Sequence, residues 1–233
     1  MLLTFITRWI PVFACLAPIS LATAQTSPPL AVAGRLLLSD DFAKLPPPKK
    51  LHSLNSDWQQ RLSFGKWTSL DEGGVRAENI PEDGHGPVLT YLAPIDDVII
   101  ECQFRLPTGD PVDRHFRIFL DHPEYRGHTI AAIANESSDF QPVGASLLHN
   151  PKTDHKDVVT EVRFGPIPVT LTPGQWHTMR LELVGDRARM SVDDVVVTGN
   201  DPALRTTKNK IGLNPGKAGG DLRNFRVWEA ASQ

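Results

Sequence analysis

The sequence predicts an all-β protein built as two antiparallel sheets packed face to face. Three observations predict it. About a dozen short segments alternate polar with apolar residues, the period of half-buried strands. Glycine, proline and aspartate punctuate these segments at short intervals. No long segment carries a 3.6-residue apolar period, and there is no internal repeat. Runs of short strands without helices resolve physically into a sandwich, because each sheet must bury one face against another.

The elements follow in order. Arg8, the apolar run from Ile10 to Leu21, and the small-x-small Ala22-Thr23-Ala24 before Gln25 form a secretory signal over residues 1–24. The expected location is therefore secreted or periplasmic. A lipoprotein signal ending at Cys15 competes, but the bulky Phe13 argues against it. The run is short of the roughly 20 residues that span a bilayer, and no transmembrane segment is expected. Residues 25–34, with Pro28-Pro29, read as a flexible lead-in, and residues 35–229 as one domain.

Arg35 to Phe42 is the first strand. Lys44 to Asp57 holds Pro46-Pro47-Pro48 and reads as an irregular excursion. Phe64–Trp67, Gly74–Ala77 and Val88–Leu92 are short strands. Val98–Leu106 and His115–Asp121 alternate most cleanly, and His128–Ala134 and Val143–Leu148 continue the pattern. Asn150 to Asp157 is polar, a short helix or an exposed loop. Thr160–Phe164 and Val169–Leu171 lead into the clearest block, from Trp176 to Trp228. There Thr178–Leu183 and Ala188–Val192 flank the Gly185-Asp186 turn, Asp193-Asp194 turns into Val195–Val197, and Lys210–Leu213 and Asn224–Trp228 close the domain. The glycine-rich stretch from Gly216 to Gly220 joins two strands, so it reads as a hairpin loop rather than a phosphate cradle.

Charge and cysteine usage narrow the function. The chain carries 24 basic and 27 acidic residues, net −3. Without a basic run it is a poor partner for nucleic acid or an anionic membrane surface. Once Cys15 leaves with the signal, only Cys102 remains, so no internal disulfide can form. Cys102 shares the apolar phase of its strand with Val98, Ile100, Phe104 and Leu106 and reads as a small buried hydrophobe.

Several motifs stand in a recognisable order: Asp40-Asp41-Phe42, Gly65-Lys66-Trp67 with Gly73-Gly74-Val75, Gly174-Gln175-Trp176-His177, Val192-Asp193-Asp194, and Asn224-Phe225-Arg226-Val227. Together they resemble the concanavalin A-like superfamily of lectins, laminin-G-type modules and glucanases. The resemblance covers about residues 35–229 and implies a two-sheet antiparallel jelly roll. Within it, the chain looks most like secreted bacterial domains around the 3-keto-disaccharide hydrolase domain family. The Asn-Ser-Gly segment typical of that family is missing. In its place stand His115-Phe116-Arg117-Ile118-Phe119 and Gly127-His128-Thr129.

Jelly rolls of this kind commonly bind sugar on one sheet face. If Val98–Leu106 and His115–Asp121 are antiparallel neighbours, Glu101, Gln103 and Arg105 lie beside His115, Arg117, Phe119 and Asp121. Planar hydrogen-bonding groups around a ring are the ingredients of a carbohydrate site. The same residues also suit a solvated face held by cross-strand ion pairs. His85, in Asp83-Gly84-His85-Gly86, and His128, after Gly127, can approach a ligand or simply bond backbone. Together with Asp121 they are the candidate acid–base groups.

No cofactor is expected. Asp121-His122-Pro123-Glu124 has no recognised metal-ligand spacing, and a calcium ion at the sandwich rim is what the resemblance leaves open. The paired-carboxylate strand motif of laminarinases is absent, as is a serine-nucleophile elbow. Asn135-Glu136-Ser137 matches a glycosylation sequon, read as coincidental in an exported bacterial chain. Three functions remain: a carbohydrate-binding domain, a glycoside-cleaving enzyme of the 3-keto-disaccharide hydrolase type, and a non-catalytic scaffold for protein interaction.

Overall fold

The structure, a computed structural model, describes residues 27–109, 113–124, 126–137, 142–152 and 161–231. The signal sequence and residues 153–157 of the polar stretch lie outside the described residues.

Sixteen strands are described: β1 (Val32–Asp40), β2 (His52–Ser53), β3 (Gln59–Phe64), β4 (Lys66–Ser69), β5 (Val75–Glu78), β6 (Val88–Ile95), β7 (Val98–Arg105), β8 (Arg114–Asp121), β9 (Arg126–Ser137), β10 (Gly144–Lys152), β11 (Val162–Ile167), β12 (Trp176–Val184), β13 (Arg187–Val192), β14 (Val195–Asn200), β15 (Lys208–Asn214) and β16 (Gly220–Ala231). They form two antiparallel sheets. The first runs β14-β13-β12-β7-β16-β5-β4, with β1 also paired to β16. The second runs β11-β10-β9-β8-β15-β6-β3-β2. The result is the expected jelly-roll sandwich.

Alternation decides what lies between the sheets. The even residues of β7, from Val98 to Phe104, and the even residues of β8, Phe116, Ile118 and Leu120, all enter one core. Phe104 stacks on Phe116 across the sandwich with centroids 4.7 Å apart, and Tyr91 stacks on Phe225 at 4.5 Å. Cys102 is fully buried in this core, and burial pushes its thiol pKa well up.

Three local findings refine the expected elements. First, Gly65 interrupts the strand expected over Phe64–Trp67. Its φ is +78°, and a Cβ there would stand 2.7 Å from Pro87 Cβ. Only glycine fits, and the chain uses it to leave the second sheet after β3 and enter the first as β4. Second, β3 (Gln59–Phe64) fills the stretch between the proline excursion and Gly65, to which the sequence pattern assigns no element before Phe64. Third, β1 begins at Val32, and the segment before it is tied down. Leu30 N–H donates to Glu182 Oε2 at 2.6 Å, and Arg189 donates to Ser27 O through Nε and Nη2. This strap covers part of the outer face of the first sheet and buries Glu182 completely.

Candidate functional site

The proposed adjacency of β7 and β8 fails. β7 pairs with β12 and β16 in the first sheet, whereas β8 pairs with β9 and β15 in the second. Both strands turn their even residues to the core. Their odd residues therefore point to opposite outer faces of the sandwich. Glu101, Gln103 and Arg105 stand on one face; His115, Arg117, Phe119 and Asp121 stand on the other. Alternation fixed which phase of each strand is buried, but it carries no information on which strands pair.

On the first sheet, Glu101, Gln103 and Arg105 are absorbed into structure. Arg105 reaches Asp221 at 2.7 Å and Glu72 at 2.9 Å, and Arg76 holds the other oxygen of Asp221 at 2.8 Å. Trp176 lies between two guanidinium groups, 4.5 Å from Arg105 and 4.1 Å from Arg223. Gln103 Oε1 accepts from Arg223 Nε at 2.7 Å and from Asn224 Nδ2 at 2.9 Å. Glu101 pairs with Arg180 at 3.5 Å. This is the solvated ion-pair face that the sequence also allowed.

The second sheet is different. Its outer face carries a small apolar floor of Val88, Phe119, Ala131, Ile133 and Leu148, with Phe64 packed at the margin. Register places Arg117 opposite Ile133 on β9 and Asn214 on β15. Asp121 lies opposite Lys210. Polar side chains stand on and around the floor.

Asp121 is the pivot of this face. Its Oδ1 accepts from His128 Nδ1 at 2.7 Å and its Oδ2 pairs with Lys210 Nζ at 2.7 Å. Asp121 is buried, and both oxygens are engaged. With Nδ1 donating to the carboxylate, the neutral tautomer leaves Nε2 as an acceptor. Arg117 Nη1 lies 3.5 Å from that Nε2. The ring of His128 rests on Phe119, with centroids 4.4 Å apart.

Phe119 was expected as a ring for a sugar to stack on. The structure gives it another part. It is only 7% exposed, so it is the floor that props His128 rather than an open platform. His128, with its side chain 21% exposed, presents the accessible ring.

His115 is also more enclosed than expected. It is buried, with Nδ1 2.9 Å from Asp113 Oδ1 and Nε2 3.1 Å from Asn214 Oδ1. Asn214 in turn donates to Pro87 O and accepts from Gly216 N–H. His115 therefore ties β8 to the end of β15 and braces the site. His85 is stacked on Phe64 at 4.7 Å, with Nδ1 2.7 Å from Gly86 O. It stands in the turn before β6, and Phe64 packs at the margin of the same apolar floor.

Arg117 has an unusual environment. Its Nε is buried without a hydrogen-bond partner among the described residues. Burial lowers the guanidinium pKa from its ordinary value; Asp113 opposes this and nearby Arg163 adds to it. Arg163 comes from β11, with Nη1 3.4 Å from Ser146 Oγ and Nη2 3.0 Å from Glu161.

Sequence reasoning missed Arg163, Lys210 and Gly212. All three reach the face through long-range pairing. One signal was available: a glycine inside the strand Lys210-Ile211-Gly212-Leu213 marks a close approach by another group. Here that group is Phe119. Among the described residues, no three His, Cys, Asp or Glu side chains converge as a metal site. Two surface cavities lie elsewhere. One of about 600 Å³ is lined by the Ser27–Ala31 strap and Arg187, and one of about 410 Å³ by Asp41, Asp71, Glu72 and Arg223. Both belong to the first sheet's side, and the geometry at His128 is more specific than either.

The sequon residue Asn135 is fully buried, with Nδ2 donating to Pro142 O at 2.9 Å. In the folded chain it serves the structure.

No family model matches the chain, and no curated protein does. Solved structures do. A protein of unknown function with a galectin-like fold from Bacillus subtilis is 14% identical, with a TM-score of 0.54, over 87% of this chain and 100% of that one. A carbohydrate binding module, CBM66, from Bacillus subtilis is 12% identical, with a TM-score of 0.50, over 73% of this chain and 95% of that one. At such identities the likeness concerns the fold: this chain has the galectin-like jelly roll of those structures.

Proposed function

We propose that the chain is an exported carbohydrate-binding domain whose site is the outer face of the second sheet. One observation carries this reading. His128 Nε2 and Arg117 Nη1, an acceptor and a donor, stand 3.5 Å apart on that face, and Asp121 fixes the imidazole from below. A sugar hydroxyl both donates and accepts, so one hydroxyl can engage both groups. The His128 ring, propped on the buried Phe119, is an accessible flat surface that a sugar ring can stack against. That a module of the same fold is named for carbohydrate binding is consistent with this use of the scaffold. Export rests on the signal pattern of residues 1–24.

The test is a glycan array probed with the mature chain, followed by calorimetry on the best ligand. His128→Ala should weaken binding at least tenfold, about 1.4 kcal/mol, with the fold intact. Undiminished affinity in that variant would remove the site.

A second reading is supported by the Asp121–His128 pair. A carboxylate-oriented imidazole is the usual form of a general base, and the resemblance to 3-keto-disaccharide hydrolases supplies a substrate class. Incubation with 3-keto-disaccharides decides it: smaller products that disappear in His128→Ala would make the chain an enzyme. Unchanged substrate leaves the binding domain.

A further inference from the structure

We propose that the saccharide bound here is a linear oligosaccharide, held at a second subsite on His85 as well as on His128. The inference rests on the carbohydrate-binding reading above and names the length class of its ligand.

The outer face of the second sheet carries two histidine rings laid on phenylalanines. His128 rests on Phe119 with centroids 4.4 Å apart, and His85 rests on Phe64 at 4.7 Å with 25° between the ring planes. Both phenylalanines belong to the apolar cluster of that face, which is separate from the core between the sheets. Both histidines also have Nδ1 engaged. On His128 it meets the Asp121 carboxylate at 2.7 Å, and on His85 the Gly86 carbonyl at 2.7 Å. A carbonyl only accepts, so Nδ1 of His85 donates, and the neutral ring keeps Nε2 as an acceptor. Each ring thus combines a flat face with an acceptor at its edge.

The loop that carries His85 is pinned, yet His85 is exposed. Asp83 Oδ2 accepts from Gly65 N–H at 2.8 Å, which ties the loop to the junction of β3 and β4. Gly86 packs against the loop after β15: a Cβ there would stand 2.8 Å from Gly216 O. His85 itself fills no core, and its polar contact is with its own neighbour. The sandwich therefore does not need an imidazole at this position. A ring held in one orientation and open to solvent is a preorganised stacking surface.

The two rings are too far apart for one sugar. Phe119 stands on β8 and Phe64 on β3, with β15 and β6 between them. Three strand spacings amount to about 14 Å, wider than a monosaccharide. Register places Gly212, Thr90 and Val88 between the two phenylalanines, and none of these side chains is larger than valine. A linear chain laid across the strands, with one sugar on His128 and a later one on His85, matches that spacing.

The experiment titrates linear glucan, mannan, xylan and fructan series, from monosaccharide to hexasaccharide, by calorimetry. With the intact chain, affinity in one series should rise roughly tenfold or more between the disaccharide and the longest member, because the second contact is made within one ligand. His85→Ala should lower the affinity for the longest member to that for the disaccharide. His85→Phe keeps a ring over Phe64 and should retain most of the rise. His128→Ala should weaken short and long members alike. Circular dichroism melting curves confirm that each variant is folded. A longer chain also offers more binding frames, but that statistical gain survives His85→Ala, so the variant separates the two causes. Affinity independent of length, or a rise that survives His85→Ala in full, would overturn the inference and leave the carbohydrate-binding reading standing. Failure to bind any glycan, short or long, would overturn both.

Discussion

The ring of Phe119 occupies the space where a side chain on Gly212 would stand. A Cβ placed on Gly212 would lie 1.9 Å from Phe119 Cζ and 2.3 Å from each Cε. The two residues are register partners on β8 and β15, so the missing side chain of one strand makes room for the ring of the next. That ring supports His128.

The first prediction is that Gly212→Ala is costly out of proportion to one methyl group. Phe119 must swing off the sheet and take the floor from under His128. Overpacking of this kind costs about 1–3 kcal/mol. Chemical denaturation should show that loss, and glycan affinity should fall with it. Wild-type stability in this variant would mean that Phe119 relaxes freely and does not position His128.

Arg117→Met should separate stability from function. It removes a buried cation with an unsatisfied Nε and keeps most of the volume over Ile133. The unliganded protein should be as stable as wild type or about 1 kcal/mol more so, because exchanging an imperfectly compensated buried charge for a packed apolar group is neutral to favourable. Saccharide binding should be lost. A large drop in the melting temperature would show that Arg117 is a structural residue.

Two aspartates should give opposite pH responses. Burial works against ionisation of Asp221, but the hydrogen bonds from Arg76 and Arg105 outweigh it and hold its pKa below the ordinary value. Its contribution is present above the unfolded aspartate pKa and is lost as pH falls through the lowered folded value. Asp221→Ala should cost about 2 kcal/mol at neutral pH, the scale of hydrogen bonds to charged groups, and leave glycan binding unchanged.

Asp40 is shifted the other way. Burial raises its pKa, against hydrogen bonds from Tyr91, Phe42 N–H and Gln60. It therefore favours the folded state most below the unfolded aspartate pKa, and that contribution is lost as pH rises through the raised folded value. Gln60 Oε1 is buried without a partner among the described residues, so an amide in place of the carboxylate can donate to it once the amides reorient. Asp40→Asn should hold or raise stability at pH 7 and flatten the decline above pH 4. Urea unfolding across pH 3–8 measures both aspartates; slopes of the same sign would contradict the assignment.

Cys102 should be inert to thiol reagents in the folded protein and react only on unfolding. It is fully buried and burial raises its pKa, so thiolate is scarce. Rapid labelling under native conditions would mean that the core opens readily.

Much of the fold was legible in the sequence. Period-two alternation identified most strands and placed Val98, Ile100, Cys102, Phe104, Phe116, Ile118 and Leu120 in the core, where they are. The site was only half legible. Arg117, Phe119, Asp121 and His128 do gather on one face. Glu101, Gln103 and Arg105 were grouped with them because β7 and β8 are consecutive, and consecutive strands often pair. In this sandwich the chain crosses between sheets after Arg105, so β8 pairs with β9 and with β15, about ninety residues on, and not with β7. Such pairing depends on packing of the whole domain, which no local pattern encodes. Gly65 shows the same limit on a small scale: its sequence continues a strand, while its positive φ ends one.

The most direct measurement compares Arg117→Gln with Arg105→Gln against the best ligand of a glycan array. The two arginines lie on opposite faces of one sandwich. The account predicts that Arg117→Gln reduces affinity at least tenfold and that Arg105→Gln leaves it within a factor of two while lowering stability. Retained binding in Arg117→Gln, with loss in Arg105→Gln, would place the site on the first sheet and contradict the account.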